Sequence, residues 1–384
     1  MSDKIRTDWD PRSEEVLRDQ RTAYDRMRER CPVAYSEFLG WSLFRHEDLS
    51  RVLQDHETFS SSVSRHLSVP NGMDVPEHTA YRRIIEPYFA AQRMSAFEPV
   101  CREIVTTLIR DIYASGEVEL IADFAQPFAV RVQCAFLGWP AALHEPLIRW
   151  SIKSDEAVLK QDRQSLAALA REFEGYIDDM LQSRLRTGAT AETDITAALM
   201  HETVEGRPLN HDEIASILRN WTAGEIGTIA ASVGILVHYI ARDAGLQAQL
   251  RAEPSLLSAA IDEILRIHGP LLVNRRITTC PVQIGGQALD SGARISLNWV
   301  SANRDPRVFE DPEVFRLDRD PAANLLYGLG IHVCPGAPLA RLELQVVMEE
   351  LLRHSTAIEL APDRSPINAR YPESGFSALP LRIR

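Results

Sequence analysis

Apolar residues recur at three- and four-residue steps along most of the chain, which is the spacing of amphipathic helices. The longest helical pattern covers residues 211–242, where Asn210 can cap the first turn and Glu213 completes a capping-box pattern. Another strong pattern, over residues 254–268, ends at Gly269 and Pro270. The same spacing predicts helices over residues 14–30, 81–89, 96–113, 124–137, 165–185 and 337–353.

Segments rich in β-prone residues are found in two regions. Residues 275–295 contain short pieces of this kind, broken by Gly285-Gly286 and Ser291-Gly292, which is typical of hairpins. Residues 357–360 and 379–383, near the C-terminus, are similar. Irregular loops are predicted over residues 188–193 and 306–324. The sequence therefore predicts a mainly α fold with a small β portion, built as a single domain over residues 1–384.

Composition and charge exclude several classes of function. The chain has 384 residues, a formal net charge of −12 and a sequence pI of about 5.5, which argues against a nucleic-acid partner. Residues 1–20 lack the apolar core of a signal peptide or membrane anchor. The apolar residues 226–239 are too few to span a bilayer comfortably, so we interpret them as a buried core helix. Five widely spaced cysteines without a CxxC pair fit a reducing compartment. We therefore expect a cytoplasmic protein with no membrane partner.

The segment YGLGIHVCPG, residues 327–336, places Cys334 at the end of a glycine-punctuated loop, directly before a predicted helix. Such a loop can direct backbone N–H groups and the helix N-terminus at the sulfur, and both favour the thiolate over the thiol. The glycines allow the backbone to approach a flat cofactor closely. The pattern is long and specific, and it makes Cys334 the strongest candidate for a functional residue.

This segment resembles the haem-binding signature of cytochromes P450, with Tyr327 where an aromatic residue usually stands. The resemblance extends from the region of Tyr24 to the C-terminal tail. It implies the cytochrome P450 fold, with haem b between the long central helix and the cysteine-loop helix. Cys334 would be the sulfur ligand to the iron and Gly336 a cofactor contact, while Arg341 matches the usual basic position of the following helix. A thiolate ligand pushes electron density to haem iron and favours O–O cleavage.

The remaining cysteines are expected to be free and structural: Cys31, Cys101, Cys134 and Cys280.

Glu263 and Arg266 form an ExxR motif in the helix predicted before Gly269. Their i,i+3 spacing puts the carboxylate and the guanidinium on one face. The motif alone is a weak signal, but it precedes Cys334 by about the distance found in the family. The resemblance implies a buried structural pair that clamps the loop before Cys334. It also implies a third member, an arginine somewhere in residues 311–319.

Haem has two propionate groups, and a haem pocket needs cations or hydrogen-bond donors for them. His78 and Arg82 are four residues apart on a predicted helix and match a family motif. Arg276 matches the arginine that follows the ExxR helix, and His332 falls where the family often has a propionate partner. The resemblance thus implies four propionate partners.

The long helix departs from the family in the stretch TAGEIGT, residues 222–228. In most relatives an acid and an alcohol in this stretch help to deliver protons during oxygen activation. In this chain the acid position holds Ile226 and the alcohol position holds Gly227, and neither side chain can donate a proton. Glu225 lies one position early and Thr228 one position late. We therefore take Glu225, Gly227 and Thr228 as the candidate catalytic positions.

Three hypotheses account for this departure. In the first, oxygen is still activated, and protons come from water, Glu225, Thr228 or the substrate, with Gly227 leaving room for the water. In the second, the enzyme uses hydrogen peroxide, which already carries the protons and electrons. In the third, the haem performs other chemistry, such as isomerisation or dehydration. Glu225 as an exposed or ion-paired helix residue, and Thr228 as a hydroxyl bonded back to a helix carbonyl, remain the structural alternatives.

The expected substrate pocket is largely apolar with a few polar groups, as small-molecule sites usually are. By resemblance it is lined by the loop of residues 59–73, the long helix and the residues after the ExxR helix. Arg219 can pair with an anionic or polar substrate, although a surface or structural role is the alternative. The candidate substrate contacts are Arg219, Thr222, Ala223, Leu271, Leu272, Val273 and Asn274.

These features together predict a haem-thiolate monooxygenase that inserts one oxygen atom from O2 into a small, largely apolar substrate, by hydroxylation or O-dealkylation. Electrons would come from a ferredoxin and its reductase, or from a flavodoxin-type donor, which would dock near Arg82, Arg83 and Arg341. Two hypotheses from other classes are a haem protein that only binds ligands, as a sensor or carrier, and a helical protein without a cofactor. The first finds no output domain in the sequence, and the second leaves the ordered set of haem-pocket residues unexplained.

Overall fold

The computed structural model describes residues 7–113, 117–190 and 194–384. Helices dominate it, joined by short one-turn segments. They are α1 (Glu14–Arg18), α2 (Gln20–Arg30), α3 (His46–Gln54), α4 (Glu77–Ile85), α5 (Ala91–Tyr113), α6 (Gln126–Leu137), α7 (His144–Lys160), α8 (Arg163–Thr187), α9 (Ile195–Leu199), α10 (His211–Ala241), α11 (Ala244–Ala252), α12 (Leu257–His268), α13 (Trp299–Ala302) and α14 (Ala337–His354).

The strands of the described residues are short and form small sheets beside the helices. They are β1 (Val33–Ser36), β2 (Gly40–Leu43), β3 (Phe59–Ser60), β4 (Glu117–Glu119), β5 (Thr203–Val204), β6 (Arg207–Pro208), β7 (Val273–Thr278), β8 (Val282–Ile284), β9 (Gln287–Leu289), β10 (Arg294–Asn298), β11 (Ile358–Leu360), β12 (Ile367–Asn368), β13 (Phe376–Ala378) and β14 (Pro380–Ile383). The largest sheet has the order β1-β2-β10-β7-β3, and a three-stranded sheet has the order β11-β14-β4. In the larger sheet β10 pairs parallel with β2 and antiparallel with β7, where Ile295 lies opposite Arg276.

Helix α10 lies at the centre of the helical part and contacts α6, α8, α12 and α14. Asn210 accepts from the Glu213 N–H, and the Glu213 side chain accepts from the Asn210 N–H, so the predicted capping box is confirmed. Among the described helices α10 alone is long and apolar enough to cross a membrane, but 56% of its apolar window is buried inside the protein. Val233, Leu236 and Val237 are fully buried in the largest apolar cluster, as predicted for a core helix.

The helices predicted from the apolar pattern all form, with shifted ends. The segment predicted over residues 14–30 is two helices, because Asp19 leaves helical geometry and its side chain accepts from the Thr22 N–H to cap α2. The pattern does not predict α3, α7, α9, α11 or α13. The prediction of strands in two regions only is wrong, since β1 pairs with β2, and β2 with β10, in the largest sheet. Strands of four residues are too short to show a clear alternation.

Two segments of the sequence predictions fall partly outside the described residues. The irregular loop predicted over residues 188–193 is described only as far as residue 190, and the polar N-terminal segment only from residue 7 onward. The loop predicted over residues 306–324 is irregular apart from the single turn Pro321–Ala323.

Candidate functional site

A cavity of about 550 Å³ lies between α10 and the loop that contains Cys334. Its other walls are the loop of residues 61–72 and the residues that follow α12. The volume is in the range of small-molecule and cofactor sites. The lining is mostly apolar and includes Phe89, Phe136, Trp221, Ile229 and Leu271.

The loop before Cys334 is held in one conformation by its own backbone. The Cys334 N–H donates to the Tyr327 carbonyl at 2.8 Å. Gly330 has a φ of +74°, and a Cβ placed on it would lie 2.2 Å from the carbonyl oxygen of Leu53 at the end of α3. Only glycine can therefore occupy this position, which presses the loop against α3.

The side chain of Cys334 is exposed to the cavity although it lies deep within the protein. Burial raises the pKa of the Cys334 thiol, while hydrogen bonds from the Gly336 and Ala337 N–H groups and the charge of Arg82 act in the opposite direction. These N–H groups belong to the start of α14. The geometry predicted from the sequence, in which a helix N-terminus faces the sulfur, is thus present.

The candidate propionate partners include two histidines that lie side by side, His78 buried and His332 half-buried. The rings of His78 and His332 are 4.3 Å apart, and the Nε2 atom of each is buried without a hydrogen-bond partner among the described residues. Burial lowers the pKa of His78 to about 4 and that of His332 to about 3, with further lowering by Arg82 and Arg276 respectively. An acidic group placed beside these rings would satisfy both nitrogens.

Arg276 and Arg82 have different surroundings. Arg276 lines the cavity, is 8% exposed and forms no ion pair with any residue in the described ranges. Burial lowers its pKa to about 10, because no bonded carboxylate offsets the loss of solvation of the guanidinium. Arg82 instead donates to the Val333 carbonyl at 2.7 Å and pairs with Glu86 at 2.9 Å. Its guanidinium therefore supports the backbone beside Cys334.

These observations test whether the residues fit haem b. The cavity holds a cysteine sulfur that receives two N–H groups, an unpaired arginine, and a histidine whose buried Nε2 has no partner. An iron porphyrin with two propionates would supply the missing anionic partners. The residues fit the group, and Cys334, His78, His332, Arg276 and Gly336 are the ones placed to hold it.

The ExxR pair lies behind this loop and is buried. Arg266, which is 1% exposed, donates to both carboxylate oxygens of Glu263, at 2.7 and 2.8 Å. Arg319 donates to the same carboxylate at 2.9 Å and is the third member that the sequence could not single out. Arg266 also donates to the carbonyls of Asn303 and Pro312, at 2.7 and 3.0 Å. The cluster thus ties α12 to the irregular segment that leads to Cys334.

One face of α10 forms a wall of the cavity. It includes Asn220, Trp221, Ala223, Gly224, Glu225, Thr228, Ile229 and Ser232. Ile226 and Gly227 line a separate small cavity on another side of α10, together with Glu373. The position expected to leave room for a water beside the haem, Gly227, therefore faces away from the large cavity. The Thr228 hydroxyl forms no hydrogen bond with the described residues and is open to the cavity.

Glu225 is neither an exposed helix residue nor part of an ion pair within the described structure. Its carboxyl group lies against that of Glu343 on α14, close enough for a hydrogen bond once one of the two is protonated. The amide nitrogen of Gln133 on α6 lies 2.5 and 3.0 Å from its two oxygens, in the amide orientation that satisfies both partners. Burial raises the pKa of Glu225 to about 8 and that of Glu343 well above its ordinary range, the latter also through the charge of Glu225. The two carboxyl groups titrate as a unit.

Several candidate substrate contacts are turned away from the cavity. Thr222 is fully buried and donates to the Leu218 carbonyl at 2.8 Å, so it faces α6. Leu272 is 2% exposed in an apolar cluster with Trp9, and Val273 packs against the same cluster. Ala223, Leu271 and Asn274 do line the cavity, as does most of the loop of residues 61–72.

Arg219 fastens that loop to α10 and does not line the cavity. Its guanidinium donates to the Leu67 carbonyl at 2.6 Å. The Ser216 hydroxyl donates to the same carbonyl at 3.1 Å and accepts from the Val69 N–H at 2.8 Å. The Asn220 amide donates to the Val69 carbonyl at 2.9 Å. The structural alternative for Arg219 is thus the observed one, and three side chains on one face of α10 hold the cavity loop.

Sequence reasoning missed Glu343 and Gln133. Glu343 lies nine residues after Cys334, on the buried side of an amphipathic helix, and Gln133 lies in a mostly apolar helix. Both could have been found as polar residues at positions where the helical pattern predicts a buried apolar one. Of the other cysteines, all free, Cys101 and Cys134 are buried, Cys31 is half-buried and Cys280 is exposed.

A mainly helical fold with a cysteine sulfur facing a cofactor-sized cavity defines the class of haem-thiolate proteins. The family model described as Cytochrome P450 matches residues 141–383. Cyclomarin C epoxidase CymV of Salinispora arenicola is 31% identical over 353 residues, covering 87% of this chain and 88% of the relative. The 6-deoxyerythronolide B hydroxylase of Saccharopolyspora erythraea is 28% identical over 411 residues, covering 100% and 98%.

Solved structures agree with these sequence matches. The structure of CYP109E1 from Bacillus megaterium in complex with testosterone superposes with a TM-score of 0.87, at 25% identity, covering 96% of this chain and 99% of that one. The chain belongs to the cytochrome P450 family. Its members contain haem b, and this chain is accordingly an oxidoreductase of the monooxygenase type.

Proposed function

We propose that this protein inserts one oxygen atom from O2 into a small, largely apolar organic molecule, by hydroxylation or O-dealkylation. The observation that supports this most directly is Cys334, whose sulfur faces the cavity and receives two N–H groups from the start of α14. Haem bound through that sulfur supplies the oxygen chemistry. The relatives described above are a named epoxidase and a named hydroxylase, in agreement with this reaction class.

The protein's own residues position the reactants. Cys334 would hold the iron, Arg276 would pair with a propionate, and His78 and His332 would donate hydrogen bonds to the propionates, while Arg82 supports the loop. The aromatic wall of Phe89, Phe136 and Trp221 excludes water and packs against the substrate, and Ala223, Leu271 and Asn274 shape its position. Glu225 and Thr228 supply the polar groups on the cavity face of α10.

Electrons come from a separate redox protein, as in bacterial members of the family. We propose a ferredoxin with its reductase, or a flavodoxin-type donor, that docks near the Cys334 loop. Arg83 is exposed, and Arg341 is half exposed beside Asp262, so these two present positive charge there, whereas Arg82 is engaged internally. We further propose that residues 1–384 act as one catalytic domain in the cytoplasm.

A peroxygenase is the second candidate. The observation that favours it is the lack of the family's acid and alcohol, whose positions hold Ile226 and Gly227. Hydrogen peroxide already contains the protons and electrons that the acid and alcohol help to deliver. Haem-dependent isomerisation or dehydration is a third alternative.

The deciding experiment compares two sources of oxidant on a panel of small apolar and aromatic compounds. One arm contains NADH and surrogate ferredoxin and reductase, and the other contains hydrogen peroxide alone. We expect product in the first arm. Product with peroxide at an equal or higher rate would identify a peroxygenase and remove the argument for a docked redox partner.

The role of Cys334 is tested by Cys334→Ser. Serine keeps the size of the side chain but removes the sulfur ligand, so the reduced CO complex is expected to lose the long-wavelength Soret band of thiolate-ligated haem. Cys280→Ser, at an exposed free cysteine, is the matched control and is expected to keep this band. An unchanged spectrum in Cys334→Ser would refute the assignment of the ligand.

A further inference from the structure

We propose that Glu225 and Glu343 share one proton and that Glu225 supplies it to the cavity during oxygen activation, in place of the acid and alcohol that this chain lacks. The inference rests on the proposed monooxygenase function. It assigns the pair a catalytic role at the same site.

The first support is the position of the pair. Glu225 lines the cavity on the same face of α10 as Thr228. Glu343 lies directly behind it on α14 and has no exposed surface. The pair therefore has one member open to the reactants and one enclosed by protein.

The second support is the lack of hydrogen-bond donors around Glu343. Neither of its carboxylate oxygens receives an N–H or O–H group from elsewhere in the described chain. A fully buried carboxylate without donors or a cation is strongly disfavoured. A proton held between Glu343 and Glu225 removes one of the two charges and provides the missing hydrogen bond.

The third support is the orientation of Glu225. The Gln133 amide lies within hydrogen-bond distance of both Glu225 oxygens. The other end of this amide lies 3.4 Å from the Thr222 hydroxyl, which is itself bonded to the Leu218 carbonyl. Gln133 is fully buried, so it acts as a positioning residue that holds the Glu225 carboxyl between Glu343 and the cavity.

The groups around the pair do not titrate near neutral pH. From α5, burial raises the pKa of Cys101, and from α6 it raises that of Cys134 to about 12. From the Cys334 loop, burial raises the pKa of Tyr327 and of Cys334 itself. Arg102 on α5 is held by Glu98, Glu349 and Glu350. Among these groups, the proton shared by Glu225 and Glu343 is thus the one that can be released and regained near neutral pH.

The proton balance is simple. Inserting one oxygen atom of O2 and releasing the other as water consumes two electrons, from the redox partner, and two protons. The O–H bond of the Glu225 carboxyl breaks, its electron pair stays on the carboxylate, and the proton moves to oxygen reduced in the cavity. The pair regains a proton from water that enters the cavity after the first transfer, passes it on as the second proton, and is reprotonated from water before the next turnover.

The test uses the haem-loaded protein and the variants Glu225→Gln and Glu343→Gln, which keep the shape of the side chains. Infrared spectra recorded as a function of pH detect the carbonyl stretch of a protonated carboxylic acid. We expect the difference spectrum between the wild type and the variant that carries both substitutions to contain this band at neutral pH. The difference spectrum between the wild type and Asp212→Asn, an exposed acid on the same helix, is expected to lack it. The carboxyl groups of Asp155 and Glu373, whose pKa burial also raises, are common to all these proteins and cancel. A wild-type minus double-variant spectrum without the band would overturn the shared proton without reference to turnover.

Turnover is then measured with each oxidant. General acid catalysis contributes about 100-fold or more, so Glu225→Gln is expected to lower O2-dependent product formation by about 100-fold. NADH oxidation is expected to continue, while turnover with peroxide stays unchanged. Equal losses with O2 and peroxide would show a structural role and overturn the proposal, as would unchanged O2-dependent turnover. Absence of O2-dependent product in the wild type would refute the monooxygenase function instead, and the infrared band would still decide whether the proton is shared.

Discussion

Gly330 and Gly286 both have left-handed backbone conformations, with φ of +74° and +81°, but their surroundings differ. A Cβ on Gly330 would collide with the Leu53 carbonyl, whereas a Cβ on Gly286, in the turn between β8 and β9, would meet nothing within 4 Å. Alanine substitutions at the two positions therefore distinguish the free-energy cost of a left-handed backbone from the cost of a steric collision.

We expect Gly286→Ala to lower the free energy of unfolding by about 1 kcal/mol, the cost of a left-handed alanine. Gly330→Ala adds a backbone collision, which costs about 1–3 kcal/mol more and displaces the Cys334 loop. Denaturant unfolding measures both effects, and haem retention measures the second. Equal losses of stability in the two variants would contradict the close contact with α3.

The carboxyl pair predicts how stability depends on pH. Burial raises the pKa of Glu225 from 4.5 to about 8 in the native state. Between these values the native protein holds more protons than the unfolded chain, so the pair makes stability fall as pH rises from about 5 to about 8. Replacing both Glu225 and Glu343 with glutamine removes this contribution. We expect the variant to gain about 1 kcal/mol or more relative to wild type over that range.

Urea unfolding at a series of pH values measures this gain. Asp212→Asn serves as the control, and its curve is expected to run parallel to that of the wild type. A constant difference between the glutamine double variant and the wild type, independent of pH, would show that the pair does not hold an extra proton.

At the scale of elements, the Glu263, Arg266 and Arg319 cluster joins α12 to the segment before Cys334. Its members are nearly or fully buried, and removing one partner of such a cluster leaves an uncompensated charge. We expect Glu263→Gln to lower the free energy of unfolding by about 3–5 kcal/mol and to abolish haem retention. Arg316→Lys, at an arginine paired with exposed Asp318, is expected to change stability by less than about 0.5 kcal/mol. Similar stabilities of the two variants would argue against a clamp.

An element could be predicted from the sequence when its apolar residues repeat at helical spacing over many residues. Helix α10 and its capping box follow from residues 210–213 and the repeat behind them. The short strands β1 and β2 could not be predicted, because they join the sheet through the pairing of β2 with β10, a segment about 250 residues away. Cys334, Glu263 and Arg266 were found by motif. Glu343 was missed, since a buried carboxyl group depends on which other carboxyl group the fold brings to it.

The sequence also could not predict which residues of α10 face the cavity. Counting from Ala223 gives the expected acid and alcohol positions, but it does not give the face that each residue presents. In the structure Glu225 and Thr228 face the cavity and Gly227 does not. A rotation of about 100° per residue makes a difference of one position decisive.

At the scale of the whole molecule, charge decides how a redox partner approaches. The protein is strongly acidic overall, and the exposed Arg83 follows Arg82, whose side chain contacts the Cys334 loop, while Arg341 on α14 is ion-paired with Asp262. We expect Arg83→Glu to slow electron delivery several-fold at low ionic strength, with the difference shrinking as salt is added. Stopped-flow reduction by a surrogate ferredoxin measures this rate.

Two controls accompany that measurement. Arg186→Glu, at an exposed position at the end of α8, is expected to leave the rate unchanged. Turnover of Arg83→Glu with peroxide is expected to equal that of the wild type. Equal slowing by both charge reversals would mean that the partner responds to net charge and has no docking face.

We expect the attachment of the cavity loop to α10 to control how long a bound molecule stays. Ser216, Arg219 and Asn220 hold Leu67 and Val69 from less than two turns of one helix, so these hydrogen bonds break and re-form together. Each contributes about 0.5–1.5 kcal/mol, so we expect the detached loop to be a rare state, and we expect substrate to enter and product to leave through it. Residence time thus follows the frequency of that detachment, and a product with the same contacts as its substrate leaves no faster than the substrate would.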